Sequence, residues 1–241
     1  MNAILILGVA LLLLLVAVQG RFGLLTMLSL LVNLLLMFVT VIMIAGGFNP
    51  VVVSVIVGLL ILATTIFLNQ VKTDVAGPAF VASLMVMLVF VVIVMLVFHF
   101  SQTAGFGNED GETLEGFSTL IGVNFQQILI ATGLMSTLGA IAEAAIAVAA
   151  GLVTTEAQPG ETETGMLTEI IGTAINTLFF GFFGGFSALF IWFARLEYPF
   201  SQVLNNKIFV GELLEVLLAV LAVVLTVPTT AWVVHLRQRK G

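Results

Sequence analysis

The stretch from Gly133 to Gly151, "GLMSTLGAIAEAAIAVAAG", carries a single charged side chain, Glu143, among apolar, small and hydroxyl residues. A helix of about 20 such residues crosses a hydrocarbon core roughly 30 Å thick. The stretch therefore predicts a membrane-spanning helix. Acidic residues are rare inside such helices because burying an ionised carboxylate in lipid is costly, so the role of Glu143 is the main question that this sequence raises.

The composition of the whole chain agrees with a membrane location. Of its 241 residues, 61% are hydrophobic and 8% are charged, whereas roughly 25% are charged in an ordinary soluble domain. No polar segment is long enough to build a separate soluble domain, so we expect residues 1–241 to form a single transmembrane domain in a lipid bilayer. The net charge of -6 is small and gives no indication of nucleic-acid binding.

The hydropathy pattern predicts an all-α, polytopic bundle of about seven transmembrane helices. Stretches with turn chemistry, such as "GGFNP" and "TTEAQPGETETG", separate the apolar segments. The first segment is interpreted as a retained span, because no basic region typical of a signal peptide precedes it. The predicted spans cover residues 2–18, 24–45, 51–68, 76–100, 125–151, 167–192 and 208–234.

The basic residues predict the orientation, because Lys and Arg accumulate on the cytoplasmic side of membrane proteins. An orientation with the N-terminus outside and the C-terminus inside leaves only Arg195 and Lys207 on the outer side. The remaining basic residues then fall in the cytoplasm: Arg21, Lys72, Arg237, Arg239 and Lys240. We therefore expect a multi-pass protein of the bacterial inner membrane.

Small and polar residues recur along one face of the fifth span. Members of this face are spaced three or four residues apart, as helix neighbours are: Gly133, Ser136, Gly139, Ala140, Glu143, Ala147 and Ala150. Small residues allow another helix to approach closely in lipid, so this face is predicted to face protein. Glu143 is then protonated, paired, or open to a watery cavity.

The sixth span carries a second polar stripe. Thr173 and Thr177 lie one turn apart, and Asn176 is beside them. A short loop joins the fifth and sixth spans, so we expect antiparallel neighbours that bring Asn176 to the depth of Glu143. Glu143, Asn176, Thr173 and Thr177 are thus predicted to bind a proton, a cation or a small solute. The alternative is a structural hydrogen bond between two helices.

Glycine and proline mark places where these helices pack closely or bend. Gly139, Gly181, Gly184 and Gly185 are predicted to serve helix packing or to act as a hinge, since small residues favour both. Pro228 is predicted to kink the last helix or to end its regular part, with nearby threonines bonding the carbonyl that it frees.

Three further polar features are weaker candidates. Asn33 is predicted to form an interhelical hydrogen bond. Glu212 and Glu215 either interact with the N-terminal helix dipole or line an outer vestibule. The loop "NEDGETLE" (108–115) lacks the spacing of an EF-hand, so we expect no metal site there.

No recognisable catalytic set is present. The chain contains no cysteine, and its two histidines, His99 and His235, are far apart in the sequence. No phosphate-binding loop, nucleophile elbow or zinc-protease motif occurs. We therefore expect no enzymatic activity, no catalytic residues, no metal and no cofactor.

Several stretches resemble the YibE/F-like family of multispanning bacterial membrane proteins. The resemblance covers most of the chain, from about Gly20 to Thr230, and its most specific parts lie in the last three spans. The matching stretches are "GRFGLLTMLSLLVNLLLMF" (20–38), "GGFNP" (46–50), "GAIAEAAIAVAA" (139–150), "GTAINTLFFGFFGG" (172–185) and "FSQVLNNKIFVGELLEVLLAVLAVVLTVPTT" (200–230).

The resemblance carries residue-level implications. The acid of the family's Gly-Ala-rich helix corresponds to Glu143, and the following Asn-Thr-Leu motif begins at Asn176. The Val-Pro-x-Thr ending corresponds to residues 227–230. Many relatives have a second acid in the first motif and a basic loop after it, whereas alanine follows Glu143 here and residues 154–165 contain no Lys or Arg.

The combined expectation is a membrane permease for a small solute or ion. The alternative is a non-transporting membrane subunit or scaffold. The resemblance implies a short family form, which suggests a hetero-oligomer with a longer homologue; a homo-oligomer is the other possible assembly.

Overall fold

The computed structural model describes residues 2–69, 72–101, 103, 124–155 and 163–239. The predicted acidic loop, residues 108–115, lies outside these residues. The described chain forms helices in this order: α1 (Asn2–Gln19), α2 (Arg21–Ala45), α3 (Pro50–Leu68), α4 (Thr73–Ser101), α5 (Phe125–Thr155), α6 (Glu163–Gly185), α7 (Ser187–Arg195), α8 (Phe200–Val203) and α9 (Lys207–Gln238).

Six of these helices, α2 to α6 and α9, are long and apolar enough to cross a membrane. This confirms a polytopic helical bundle. The remaining predicted span is the first, and it corresponds to α1, a shorter apolar helix of 18 residues. Its rise of about 27 Å falls slightly below the roughly 30 Å hydrocarbon core, so its crossing of the membrane stays a prediction.

Turn chemistry explains the helix boundaries. The backbone φ of Gly20 is +62°, a left-handed conformation that glycine adopts without strain, and it separates α1 from α2. The side chain of Asn49 accepts hydrogen bonds from the backbone N–H groups of Val51 and Val52, at 3.0 and 3.2 Å. With Pro50 at the first helical position, this cap starts α3. Asn206 caps α9 in the same way.

Helix α5 forms the centre of the bundle and packs against α3, α4, α6 and α9. Its large aliphatic residues enter the core, where Leu134, Leu138 and Ile141 are fully buried against α3 and α4 residues such as Leu62 and Phe90. Close packing rather than exclusion of water drives helix association in lipid. The aliphatic face of α5 therefore decides how the bundle assembles.

The helix ends show an alternating, antiparallel arrangement. At one end of the bundle, His235 of α9 bonds Glu163 of α6 across 2.9 Å. At the opposite end, Gln126 of α5 contacts His99 of α4 across 3.4 Å. We call the end that contains Gln238 the inner end, because the basic residues predict that it faces the cytoplasm, and we call the opposite end the outer end.

The last two predicted spans differ from expectation in their bounds. The sixth span ends at Gly185, and α7 begins at Ser187, so the helix is interrupted where Gly184 and Gly185 permit a bend. Helix α9 instead continues through Pro228 to Gln238, so the expectation that Pro228 ends the regular helix is wrong. Near it, the hydroxyl of Thr229 donates to the carbonyl of Leu225 across 2.7 Å.

Two glycines of α5 give a test of this packing. An added Cβ at Gly133 would collide with the ring of Phe98, whereas one at Gly139 meets no atom within 4 Å. We expect Gly133→Leu to destabilise the purified protein by about 1–3 kcal/mol, the usual cost of overpacking, and Gly139→Leu to leave stability near that of wild type. Thermal unfolding in detergent measures both; equal losses would contradict the packing of α5.

Candidate functional site

The small-residue face of α5 lies on the surface of the bundle. Ser136, Gly139 and Glu143 are exposed, whereas Gly133 of the same predicted face is buried against Phe98. The expectation that the whole face packs against a neighbouring helix is therefore wrong. Leucine, isoleucine and several alanines of α5 fill the core, whereas Ser136, Gly139 and Glu143 border open space between α3 and α6.

Glu143 lines a cavity between α5 and α6, here called the inner cavity. Its volume is about 390 Å³, and its polar side chains are Ser136, Glu143, Glu169, Thr173 and Thr177. Val223 of α9 closes one side. The inner cavity thus joins the two spans in which the sequence places the site.

Glu143 also lines a second cavity beside the first, between α5 and α3, here called the side cavity. This cavity has a volume of about 400 Å³ and is bordered by Thr65 and Asn69 at the inner end of α3. Glu143 and Ala147 belong to the linings of both cavities. The carboxylate is therefore reached from the α3 side and from the α6 side.

A third cavity, here called the outer cavity, adjoins the inner cavity on the side of the outer end. It has a volume of about 280 Å³ and contains Glu212 and Glu215 of α9. Ser136 and Leu178 line both the inner and the outer cavity, so the two adjoin. Ser136 precedes Glu143 by two helical turns, about 10 Å along the axis. Together the inner and outer cavities form a polar groove along α5, α6 and α9.

Glu215 lies between its own helix and α5. Its carboxyl group is close to the hydroxyl groups of Thr132 and Ser136 on α5, and the carboxylate of Glu212 on α9 repels its negative charge. The first turn of α9 contains no acid, so an N-terminal dipole interaction does not account for either glutamate. Both glutamates line the outer cavity instead. This location agrees with the other interpretation of the sequence, a vestibule at the outer end.

Asn176 does not meet Glu143. It is exposed, it lines none of the three cavities, and no hydrogen bond joins the two side chains within the described residues. The predicted pairing is therefore wrong. Thr173 and Thr177 share the face of α6 turned toward α5. Successive residues of an α-helix lie about 100° apart around its axis, which places Asn176 roughly 80° away from the mean direction of the two threonines.

Glu169 was missed by the sequence reasoning. It lies one turn before Thr173 and lines the inner cavity with it. Glu169, Thr173 and Thr177 are spaced four residues apart and therefore share a helix face. This spacing alone predicts that Glu169 lies beside the two threonines.

The predicted packing glycines face open space within the part of the chain that the structure describes. An added Cβ at any of these positions meets no atom within 4 Å: Gly139, Gly181, Gly184 and Gly185. The close contacts are made instead by Gly133 and by Gly151, which lies against Met166. Gly181 and Gly185 line the outer cavity.

Asn33 forms the interhelical contact expected of it. Its amide nitrogen donates to the hydroxyl of Thr65 across 2.8 Å, and its amide oxygen accepts from the hydroxyl of Thr64. These bonds join α2 to α3. Asn33 is therefore a structural element of the bundle, and Thr65 is shared between this contact and the side cavity.

No described group of three or more His, Cys, Asp or Glu side chains has an arrangement that holds a metal ion. None of the described residues lining the three cavities is Lys or Arg. The charge in these cavities is carried by carboxylates, which favour cations.

A bundle of apolar helices with a polar groove defines a polytopic α-helical membrane protein. The family model described as YibE/F-like protein matches residues 7–240. The chain belongs to the YibE/F-like family, as its motifs indicated. No curated protein and no solved structure matches the chain.

Water in the groove is testable because the chain contains no native cysteine. We expect Ser136→Cys to react with a charged, membrane-impermeant thiol reagent at least about tenfold faster than Leu88→Cys, since the reactive thiolate forms only in water. Leu88 is 55% exposed on α4 and is predicted to face lipid. Equal labelling of both variants in membrane vesicles would contradict a hydrated groove.

Proposed function

We propose that this protein is a multi-pass transporter of the bacterial inner membrane that carries a proton, another cation or a cationic small solute along the polar groove. The observation that carries this proposal is the location of Glu143, an intramembrane carboxylate that lines two neighbouring cavities, one bordered by α6 and the other by α3. Ionisable residues inside membrane segments mark ion and proton pathways in many proteins.

The distribution of charge supports a cation as the transported species. Glu212 and Glu215 lie in the outer cavity, and Glu143 and Glu169 lie in the inner cavity. A cleft lined by one sign of charge with low-dielectric walls raises the local concentration of counter-ions. The hydroxyl groups of Ser136, Thr173 and Thr177 add oxygen ligands of the kind that hard cations prefer.

In the proposed mechanism, Glu143 is the exchange site. A cation that enters past Glu215 and Ser136 replaces the proton of Glu143, and this proton leaves through the outer cavity. Release of the cation toward the inner end then allows the carboxylate to take up a proton from that side. Thr173 and Thr177 orient the cation against Glu143. Glu169 attracts the departing cation toward the inner end of α6.

Movement of α6 would alternate access to Glu143. Ala174, Leu178 and Phe182 pack this helix against the bundle along one side, and the opposite side is exposed, so a displacement has to rearrange a single packed face. The interruption after Gly185 supplies a place where the outer part of the span can tilt, as broken helices do near the sites of other transporters. We propose that Gly184 and Gly185 form this hinge.

A second candidate is a non-transporting membrane subunit that packs beside a longer homologue. The open space at Gly139 and Gly181 favours it, since a helix of a partner fits against such small residues. We prefer transport because close packing alone does not require a carboxylate at Glu143. An enzymatic role has less support than either, as the groove offers carboxylates and hydroxyls but no nucleophile with an adjacent base.

The transport proposal predicts a ligand response that depends on Glu143. A cation present at 100 times its Kd stabilises the folded state by about 2.7 kcal/mol, which raises the thermal midpoint of a chain of this size by roughly 5–10 °C. Screening of monovalent and divalent cations and organic amines by thermal unfolding should find such a cation for wild type. Glu143→Gln should lose the response.

Glu163→Gln is the matched control for this measurement. Glu163 lies at the inner end of α6, outside the three cavities, and its contact with His235 can be retained by an amide. This variant should respond as wild type does. If wild type and Glu143→Gln respond alike to every compound while Gly139→Leu abolishes capture of a longer homologue, the subunit role replaces transport.

A further inference from the structure

We propose that the protein forms a homodimer in the membrane through the outward face of α6, with Asn176 of one copy hydrogen-bonded to Asn176 of the other. This inference concerns the assembly and does not depend on transport.

The outward face of α6 is defined by Gly172, Asn176, Phe180 and Phe183. These residues recur at intervals of three and four, so they share one side of the helix. All four are exposed, and Phe180 and Phe183 expose 76% and 52% of their surface. The opposite side, with Ala174, Leu178 and Phe182, packs against the bundle.

Asn176 lies near the centre of this face, about 20 Å along the helix from its inner end. A carboxamide at that depth needs hydrogen-bond partners, because lipid supplies none. Within the described chain, Asn176 makes no hydrogen bond to another helix and lines none of the inner, side and outer cavities, in contrast to Asn33, which bonds Thr64 and Thr65. The partner of Asn176 is therefore sought outside the chain.

A second copy of this chain supplies that partner by symmetry. A two-fold axis along the membrane normal brings the same residue of both copies to the same depth. A carboxamide is both donor and acceptor, so two facing Asn176 side chains satisfy each other. A different protein would need a suitable polar group at this depth, whereas a copy always has one.

The residues around Asn176 fit a helix-to-helix contact. An added Cβ at Gly172 meets no atom within 4 Å, so the second helix can approach closely one turn before Asn176. Phe180 and Phe183 provide apolar surface one to two turns after it. The spacing of Gly172, Asn176 and Phe183 follows a seven-residue seam, in which one buried Asn fixes register and favours dimers.

Cysteine crosslinking tests the dimer directly, since the native chain has no cysteine. The Phe183→Cys variant, oxidised in bacterial membranes, should give a disulfide-linked product with twice the mass of the chain. Leu88→Cys, which is equally exposed on α4, should give at least about tenfold less of this product. Equal yields for both variants would overturn the proposed face.

Substitution of Asn176 then tests the hydrogen bond within the Phe183→Cys background. Asn176→Leu should lower the crosslinked yield about tenfold, the effect of losing an interaction of 1–2 kcal/mol. Asn176→Gln retains a self-complementary amide and should preserve most of the yield. Because Asn176 is exposed, both variants should keep the thermal midpoint of the detergent-solubilised monomer.

Two results would overturn the proposal. The first is a crosslinked yield that does not change in Asn176→Leu, since this result would show that the pair of Asn176 amides does not stabilise the dimer. The second is a product whose mass corresponds to this chain plus a different protein, which would assign the outward face of α6 to a hetero-oligomer. Neither result bears on the cation response that depends on Glu143.

Discussion

The cost of a carboxylate inside a membrane segment is the constraint on which the site depends. Glu143 lies on a helix that is otherwise uncharged from Gly133 to Gly151, and a negative charge against lipid would be strongly unfavourable. The fold resolves this by giving α5 two unlike faces. Leu134, Leu138 and Ile141 hold the helix in the core, while Ser136, Gly139 and Glu143 border open cavities.

The two unlike faces of α5 also determine where α6 lies. Small residues on the outer face of α5 leave room that α6 covers only in part, so a groove remains between them with Glu143 and Glu169 at one end and Glu215 at the other. Helix α6 packs against the bundle along one side and is exposed along the other, so the movement that alternating access would require involves a single packed face. This packing also leaves Asn176 on the outside, which makes the same helix the proposed boundary between two copies.

The sequence was sufficient for the bundle but only partly for the site. Span length, hydropathy and turn chemistry predicted most helices, and Asn33 was predicted to form the interhelical hydrogen bond that it makes with α3. The side of α5 that enters the core was predicted wrongly, because small residues in membrane helices serve both as packing faces and as cavity walls. Helix rotation separates Asn176 from Thr173 and Thr177, and adjacency in the sequence conceals such a rotation. Glu169 and Glu215 gain their roles from neighbours on other helices, which no local pattern reveals.

Cation movement across a membrane tests the central claim most directly. Purified protein in sealed proteoliposomes, with an ion-sensitive dye inside, reports the entry of the cation that best stabilises wild type. We expect flux above that of empty vesicles for wild type and flux equal to that of empty vesicles for Glu143→Gln at the same protein density. Wild-type flux in Glu143→Gln would contradict the assignment of Glu143 as the exchange site.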